Sequence, residues 1–334
     1  MTPHDAFVFA VYLFAFLAGL PANLLAFYTF MAKVRKKPAP IDILLFNLTV
    51  SDVILLLFLP FKMAEAASGM TWPLPAFLCP LTGFCYHSSV YISSLFLTAI
   101  SLSRRPVYTI VASFFFWLLA CSHCSIVYIV QYHVPDVNET DPNPANVSKC
   151  YEKFSSSQLQ VLLPVRLAAS ITLFLIPFFV SLFCYVNLIR ILTSLPKIQA
   201  RRRQRAVGLA VATLLNFAIC FAPYNISHIV SFIQNKNPSW RVYSLLFSTL
   251  NASLDPAIFY FSSTAIQQTF ASCFAAVGCK LQAWIPSCYQ LCGEVEREDK
   301  EKKQHHNTSK ETGLLLSISC LDGERMMGGV IQSI

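Results

Sequence analysis

The sequence predicts an all-α membrane protein, a seven-transmembrane helix bundle followed by a short amphipathic cytosolic helix, and three observations carry that expectation. Of 334 residues, 55% are hydrophobic and only 13% charged, and the mean hydropathy is +0.54, a composition that places most of the mass in lipid. Residues 79–102 and 107–130 contain no Asp, Glu, Lys or Arg, and each run exceeds the roughly 20 apolar residues that cross a bilayer. The basic residues gather at the ends of apolar runs, so the net charge of +8 reports topology through the positive-inside rule and not an affinity for nucleic acid. A soluble chain would need two long buried helices with no polar face, against a usual helix of about a dozen residues.

The spans are taken in order as 6–31, 41–66, 76–102, 107–131, 159–195, 203–234 and 240–262. The first apolar run, 7–31, is too long for a signal-peptide core and lacks a small-residue cleavage pattern. Residues 1–6 are read as an extracellular N-terminus too short to fold. Pro21 and Asn23 interrupt span one, and the Asn23 amide is expected to bond a neighbouring helix. Lys33, Arg35, Lys36 and Lys37 follow without an acid, which makes the first loop cytosolic and the N-terminus extracellular.

Span two carries Asp52 about three turns in, where an uncompensated carboxylate costs several kcal/mol. It reads equally as an acid bonded within the bundle, an ion site, a proton relay or a conformational switch, with Ser93, Asn251 and Asp255 as companions. No cofactor is expected beyond a sodium ion near Asp52. Span two leaves through residues 68–73, a turn-rich outer loop with an interfacial Trp72.

Cys79 opens span three at its outer end. Cys150 lies in the next outer loop with the glycosylation sequons at Asn138 and Asn146, so both cysteines face the oxidising side and a disulfide between them is expected. The sequons at Asn47, Asn225 and Asn251 fall within spans and that at Asn307 in the cytosolic tail, where they stay unmodified. Cys85, Cys121, Cys124, Cys184 and Cys220 sit in apolar runs as small hydrophobes. No metal-ligand spacing is present.

Span five holds Arg166, about 16 Å toward the outside from Pro177 at 1.5 Å per residue. At that depth the guanidinium either snorkels to the interface or faces the bundle interior and receives an anion. Span six follows the cytosolic run Arg201, Arg202, Arg203 and Arg205, reaches Pro223, and offers Tyr224 and His228 on one helical face. Arg241 opens span seven, and His123 in span four is at a similar height. Singly, each histidine reads first as a satisfied structural residue. Together, two arginines and two histidines at one depth with no intramembrane acid beside them read as a pocket for carboxylate or phosphate.

Seven spans put the C-terminus in the cytosol, in agreement with the basic clusters at 33–37, 104–105 and 201–205. Residues 264–280 form the amphipathic helix, 281–334 a disordered cytosolic tail, and Cys273, Cys279, Cys288 and Cys292 are palmitoylation candidates.

These residues resemble the rhodopsin-like G-protein-coupled receptors through Asn23, Asn47-Leu-Thr-Val-Ser-Asp52, Cys79, Trp117, Cys150, Pro177, Tyr185, Cys220-Phe221-Ala222-Pro223 and Asp255-Pro256. Longer strings resemble the short-chain free fatty acid receptors, the type-two branch above all: Gly19-Leu-Pro-Ala-Asn-Leu-Leu-Ala26, Leu163-Pro-Val-Arg-Leu167, Arg205-Ala-Val-Gly-Leu-Ala210, Pro223-Tyr-Asn-Ile-Ser-His228 and Leu250-Asn-Ala-Ser-Leu-Asp-Pro256. The resemblance covers about residues 7–275. It implies a plasma-membrane receptor for acetate, propionate and butyrate, with the carboxylate held by Arg166, Arg241 and His228 and with His123 and Tyr224 nearby. Glu152 would help set chain-length preference. Heterotrimeric G proteins of the Gi/o and Gq/11 types, arrestin and membrane lipids are the implied partners.

The sequence departs from that family at the end of span three. Where the family has an acid-Arg-Tyr triplet and a second cytosolic loop, this chain reads Ser101-Leu102-Ser103-Arg104-Arg105-Pro106. Arg104 holds the family's arginine position, the coupling residue, but Ser103 replaces its acid, and Pro106 blocks helix continuation. Antiparallel spans need a loop of about two to eight residues, so span three or four is expected to unwind there and coupling to suffer. Two readings stand: a receptor without its coupling loop, and an intact receptor whose recorded sequence has lost a coding piece there. His87 stands where the family's pocket has tyrosine, Ala168 where a glutamate is expected, and Phe259 precedes Tyr260 where the superfamily more often has the tyrosine itself.

A small-carboxylate transporter would also need cations, but no internal repeat or matching pair of broken helices is visible. An enzyme would need a nucleophile or metal constellation, and none stands out. A receptor is the expectation, with a non-signalling decoy or a transporter as alternatives.

Overall fold

The computed structural model describes residues 2–36, 38–102, 105–133, 150, 154–194 and 200–283. Every regular element among them is helical. α1 (Pro3–Val34), α2 (Pro40–Ala67), α3 (Leu78–Leu102) and α4 (Pro106–His133) are the first four spans. Span five is α5 (Ser156–Ala169) and α6 (Ile176–Ser194) joined by a wide turn at Ser170–Leu175; span six is α7 (Ala200–Asn216) and α8 (Ala222–Gln234) joined by another at Phe217–Phe221. Span seven is α9 (Arg241–Thr249) and α10 (Asn251–Ser262), and α11 (Thr264–Ala283) follows. Five of these runs are individually long and apolar enough to cross a membrane. The other two expected spans are α3, rich in serine and buried through most of its length, and span seven, divided at Leu250.

The N-terminus departs from expectation. Thr2 and Asp5 form a reciprocal capping box, with Pro3 in the first turn, so residues 3–6 join α1 instead of lying outside it. At the join after α3, neither helix yields any of its expected span. α3 runs to Leu102, and α4 starts at Pro106 with the Thr109 amide donating to the Arg105 carbonyl at 3.1 Å. Proline fits there because the first helical position needs no N–H donor. Ser103 and Arg104, between the two helices, lie outside the described residues.

Polar side chains tie the spans together. Asn23 Nδ2 donates to the Ala252 carbonyl at 2.6 Å, Trp117 Nε1 to Asn47 Oδ1 at 3.0 Å, and the Ser51 and Ser89 hydroxyls pair at 2.8 Å. Gly19 permits the first of these approaches, since a Cβ there would meet the Ala252 carbonyl at 3.3 Å and Leu56 at 3.1 Å. At the opposite end Lys33 Nζ bridges Asp42 at 3.0 Å and Ser263 Oγ at 2.9 Å, linking α1, α2 and the start of α11. Phe259 packs inward against Phe30 while Tyr260 is exposed.

The two wide turns have one cause. Each precedes a proline, Pro177 or Pro223, whose ring cannot donate and crowds the carbonyl a turn earlier. The chain widens to five-residue spacing, with Ile176 N–H bonding the Ile171 carbonyl and Ala222 N–H the Phe217 carbonyl. Hydroxyls from adjacent spans satisfy carbonyls within the turns: Ser94 Oγ donates to Leu173 and Ser248 Oγ to Cys220, both at 2.9 Å. In lipid no water would serve that purpose.

Candidate functional site

An outward cavity opens between α3, α4, α5, α8 and α9, and its empty space, mouth included, is about 430 Å³. Arg166, Arg241, His228, His123, Tyr224 and His87 all line it, with Gly83, Phe84, Tyr91 and Cys124 completing the wall. Arg166 is only 4% exposed, so it faces the bundle interior instead of snorkelling. Both wide turns lie just below the cavity in their spans, between it and the inner half of the bundle.

The guanidinium groups converge. Arg166 Nη1 donates to Asn237 Oδ1 at 3.1 Å and Arg241 Nη1 donates to the same oxygen at 3.3 Å. Arg241 Nη2 also reaches the Tyr224 hydroxyl at 3.4 Å, and its guanidinium lies 5.7 Å from the Tyr224 ring centre. The Phe154 ring lies 4.9 Å from the Arg166 guanidinium, a cation–π contact. Among the described residues neither arginine pairs with a carboxylate. Like charges held close together in a protein repel, so an anion placed between these two would relieve an electrostatic cost.

The imidazoles surround the cations. The His228 ring packs edge-on against Tyr224 with centres 4.4 Å apart, and its Nε2 lies 3.4 Å from the Tyr91 hydroxyl. His228 Nδ1 is buried with no hydrogen-bond partner among the described residues. His123 is half-buried edge-on to Tyr91 at 5.4 Å. His87 Nδ1 donates to the Gly83 carbonyl at 2.7 Å, and the His87 ring lies 6.0 Å from that of Tyr224. Glu152 lies outside the described residues, as do Asn138, Asn146 and Arg104.

Sequence reasoning missed Asn237, Tyr91 and Phe154. Asn237 sits in the turn before α9, where asparagine is ordinary. The available signals were its spacing of four residues from Arg241 and the same spacing between Tyr91 and His87.

Toward the inner half, Asp52 and Asp255 are both fully buried and near enough to act on each other electrostatically. Asn216 Nδ2 donates to Asp255 Oδ1 at 2.5 Å, and Ser93 Oγ approaches Asp52 Oδ1 at 3.4 Å. The Oδ2 atom of each acid is buried without a hydrogen-bond partner among the described residues. Asn251, expected as a further companion, is fully buried, and its side-chain oxygen and nitrogen have no hydrogen-bond partner among the described residues. The donor set is all oxygen and suits a proton or a hard cation. Among the described residues no three His, Cys, Asp or Glu side chains gather as metal ligands.

Cys79 and Cys150 are disulfide-bonded, their Cα atoms 5.7 Å apart, with Trp72 packed on the bridge. Glu65 fastens the same loop: Oε1 accepts from the Cys150 amide at 3.2 Å and Oε2 pairs with Lys62 Nζ at 2.8 Å. In α11, Cys273 is exposed beside an exposed Phe274; the Cys279 side chain lies outside the described residues.

Residues 22–259 match the family described as 7 transmembrane receptor (rhodopsin family), which defines the class as a multi-pass receptor of the plasma membrane and not an enzyme. Free fatty acid receptor 2 of Mus musculus is 48% identical over 288 residues, covering 81% of this chain and 86% of its own length. Free fatty acid receptor 3 of Homo sapiens is 44% identical over 278 residues, 79% of each chain, and human free fatty acid receptor 2 is 47% identical over 282 residues, 80% and 84%. The chain belongs to the free fatty acid receptor family of rhodopsin-type G-protein-coupled receptors.

Proposed function

We propose that the chain is a receptor for short-chain carboxylates, acetate, propionate and butyrate, whose carboxylate is held by Arg166, Arg241 and His228 between spans five, six and seven. The observation that carries this reading is the pair of guanidinium groups brought to one neutral oxygen, at 3.1 and 3.3 Å, with no acid to balance them among the described residues. A fork of N–H donors matches a carboxylate in geometry as well as charge. Tyr224, His123 and His87 furnish the surrounding wall, and Glu152 is assigned to chain-length preference. The relatives are named free fatty acid receptors, which supports a fatty acid as ligand. A tail of a few carbons adds about 0.8 kcal/mol per buried CH₂, so ion pairing supplies most of an affinity between millimolar and micromolar.

The mechanism is a population shift. An anion drawn between α5, α8 and α9 favours the arrangement in which span six pivots at its wide turn and opens the cytosolic face to Gi/o and Gq/11 proteins and to arrestin. Asp52, with Ser93 beside it, would hold a sodium ion, whose charge would offset the buried carboxylate there. The N-terminus is extracellular and the tail cytosolic. The three-residue join after α3 favours a second reading, a receptor that binds its ligand but couples weakly.

The test is propionate-stimulated inhibition of cAMP and calcium release by this chain and by a version with a family-length second cytosolic loop, each with and without Arg166→Ala at matched surface expression. We expect only the lengthened version to respond, and Arg166→Ala to silence it. An equal response from the chain as it stands refutes impaired coupling; a response that survives Arg166→Ala refutes the carboxylate site; and Arg166-dependent propionate uptake would make the protein a transporter.

A further inference from the structure

Two cations that line the outer cavity share one oxygen. Asn237 Oδ1 is the shared acceptor for Arg166 and Arg241, and the turn that presents it is held at both ends. α8 stops at Asn235, whose φ of 53° is the left-handed conformation that ends helices, and the Arg241 amide donates to the Pro238 carbonyl at 3.1 Å. An amide oxygen accepts hydrogen bonds without carrying net charge. It therefore draws the two guanidinium groups together and leaves both charges uncancelled. Each guanidinium has five N–H donors, and only one from each engages Asn237.

Resting on the carboxylate reading above, we propose that Asn237 is a neutral clamp, a positioning residue that preassembles the Arg166–Arg241 dication and so sets the affinity of the cavity for anions. Without its oxygen the two cations repel and separate, and the ligand must gather them. With a carboxylate in its place the dication is already partly neutralised, and an entering anion gains less. Charge at position 237 thus trades stability of the empty receptor against ligand affinity.

The test uses the full chain purified into lipid nanodiscs, its melting followed as propionate is titrated at constant ionic strength, with propionamide as the uncharged control. Asn237→Asp should melt above the wild type when empty, yet need about tenfold or more propionate for its half-maximal shift, since a fixed counter-charge competes with the ligand for both arginines. Asn237→Leu should melt below the wild type and need about threefold or more, the scale of a lost hydrogen bond. A turn residue with only a structural role gives a different pattern, because Asp would strengthen the same bonds and leave propionate affinity intact. A shift smaller than tenfold for Asn237→Asp, or smaller than threefold for Asn237→Leu, overturns the clamp. Should Asn237→Asp not be recovered folded, Asn237→Leu decides by the same threshold. If the wild type shows no response to propionate, it is the carboxylate reading that falls; the clamp is then judged with inorganic phosphate titrated in the same melting assay by the same thresholds, and a wild type that does not respond to phosphate either overturns it.

Discussion

Among the described residues, unbalanced charge clusters of opposite kind contrast with closed ion pairs. In the outer half Arg166 and Arg241 converge with no acid among the described residues; toward the inner half Asp52 and Asp255 are buried with no cation among them. Lys62–Glu65 and Lys33–Asp42, near the two ends of the bundle, are closed ion pairs at 2.8 and 3.0 Å. The balanced pairs hold chain segments in place. The unbalanced clusters keep a standing cost in a low-dielectric setting, which a small ion of opposite sign would remove. The difference teaches that in this bundle the closed pairs account for structure, while the unpaired charges are where a ligand has something to gain.

The strongest way to break that comparison is at Arg166. Arg166→Ala should weaken propionate potency about 100-fold or more in the loop-lengthened receptor, and Arg166→Met should also raise the melting temperature of the empty protein because it removes an uncompensated buried charge. A melting temperature that falls instead would make Arg166 a structural residue. At a balanced pair the sign reverses: Glu65→Gln should destabilise the receptor by roughly 3 kcal/mol by stranding Lys62, and a Lys62→Met/Glu65→Leu double variant should regain most of that loss in the same melting assay. For the acid pair, replacing sodium with N-methylglucamine should change propionate potency by about fivefold or more, and Asp52→Asn should abolish the change; persistence in the variant would move the ion elsewhere. The smallest effect belongs to Tyr91→Phe, which removes the hydroxyl facing His228 and should weaken propionate by about twofold to fivefold.

Charge in an apolar run is expensive, and that made the site readable in advance. Arg166, His228, His123 and Arg241 could be brought together from depth alone, and Asp255 could be named as a companion of Asp52. Residues that are ordinary where they stand were silent. Asn237 lies in a turn, Tyr91 in a span, and neither violates any local rule. The spans themselves were legible because runs such as 79–102 have only one solvent that suits them. Their internal irregularities were not: Pro177 and Pro223 stand in plain view, but the wider turn before each also relies on Ser94 and Ser248 lying opposite to donate to carbonyls within it. The capping of α1 by Thr2 and Asp5 was in plain view as a Thr-x-x-Asp pattern and was overridden by the shortness of the terminus.

The join between α3 and α4 also acts as a leash. From Leu102 to Pro106 the chain takes four steps, and extended backbone covers at most about 3.6 Å per residue, so the inner ends of these helices stay within about 14 Å of each other in every state the receptor visits. α3 is buried among its neighbours while α4 presents most of its surface outward. A displacement of the buried helix that would carry its inner end beyond that reach must therefore be shared by a helix bathed in lipid, and the bilayer becomes a load on the motion.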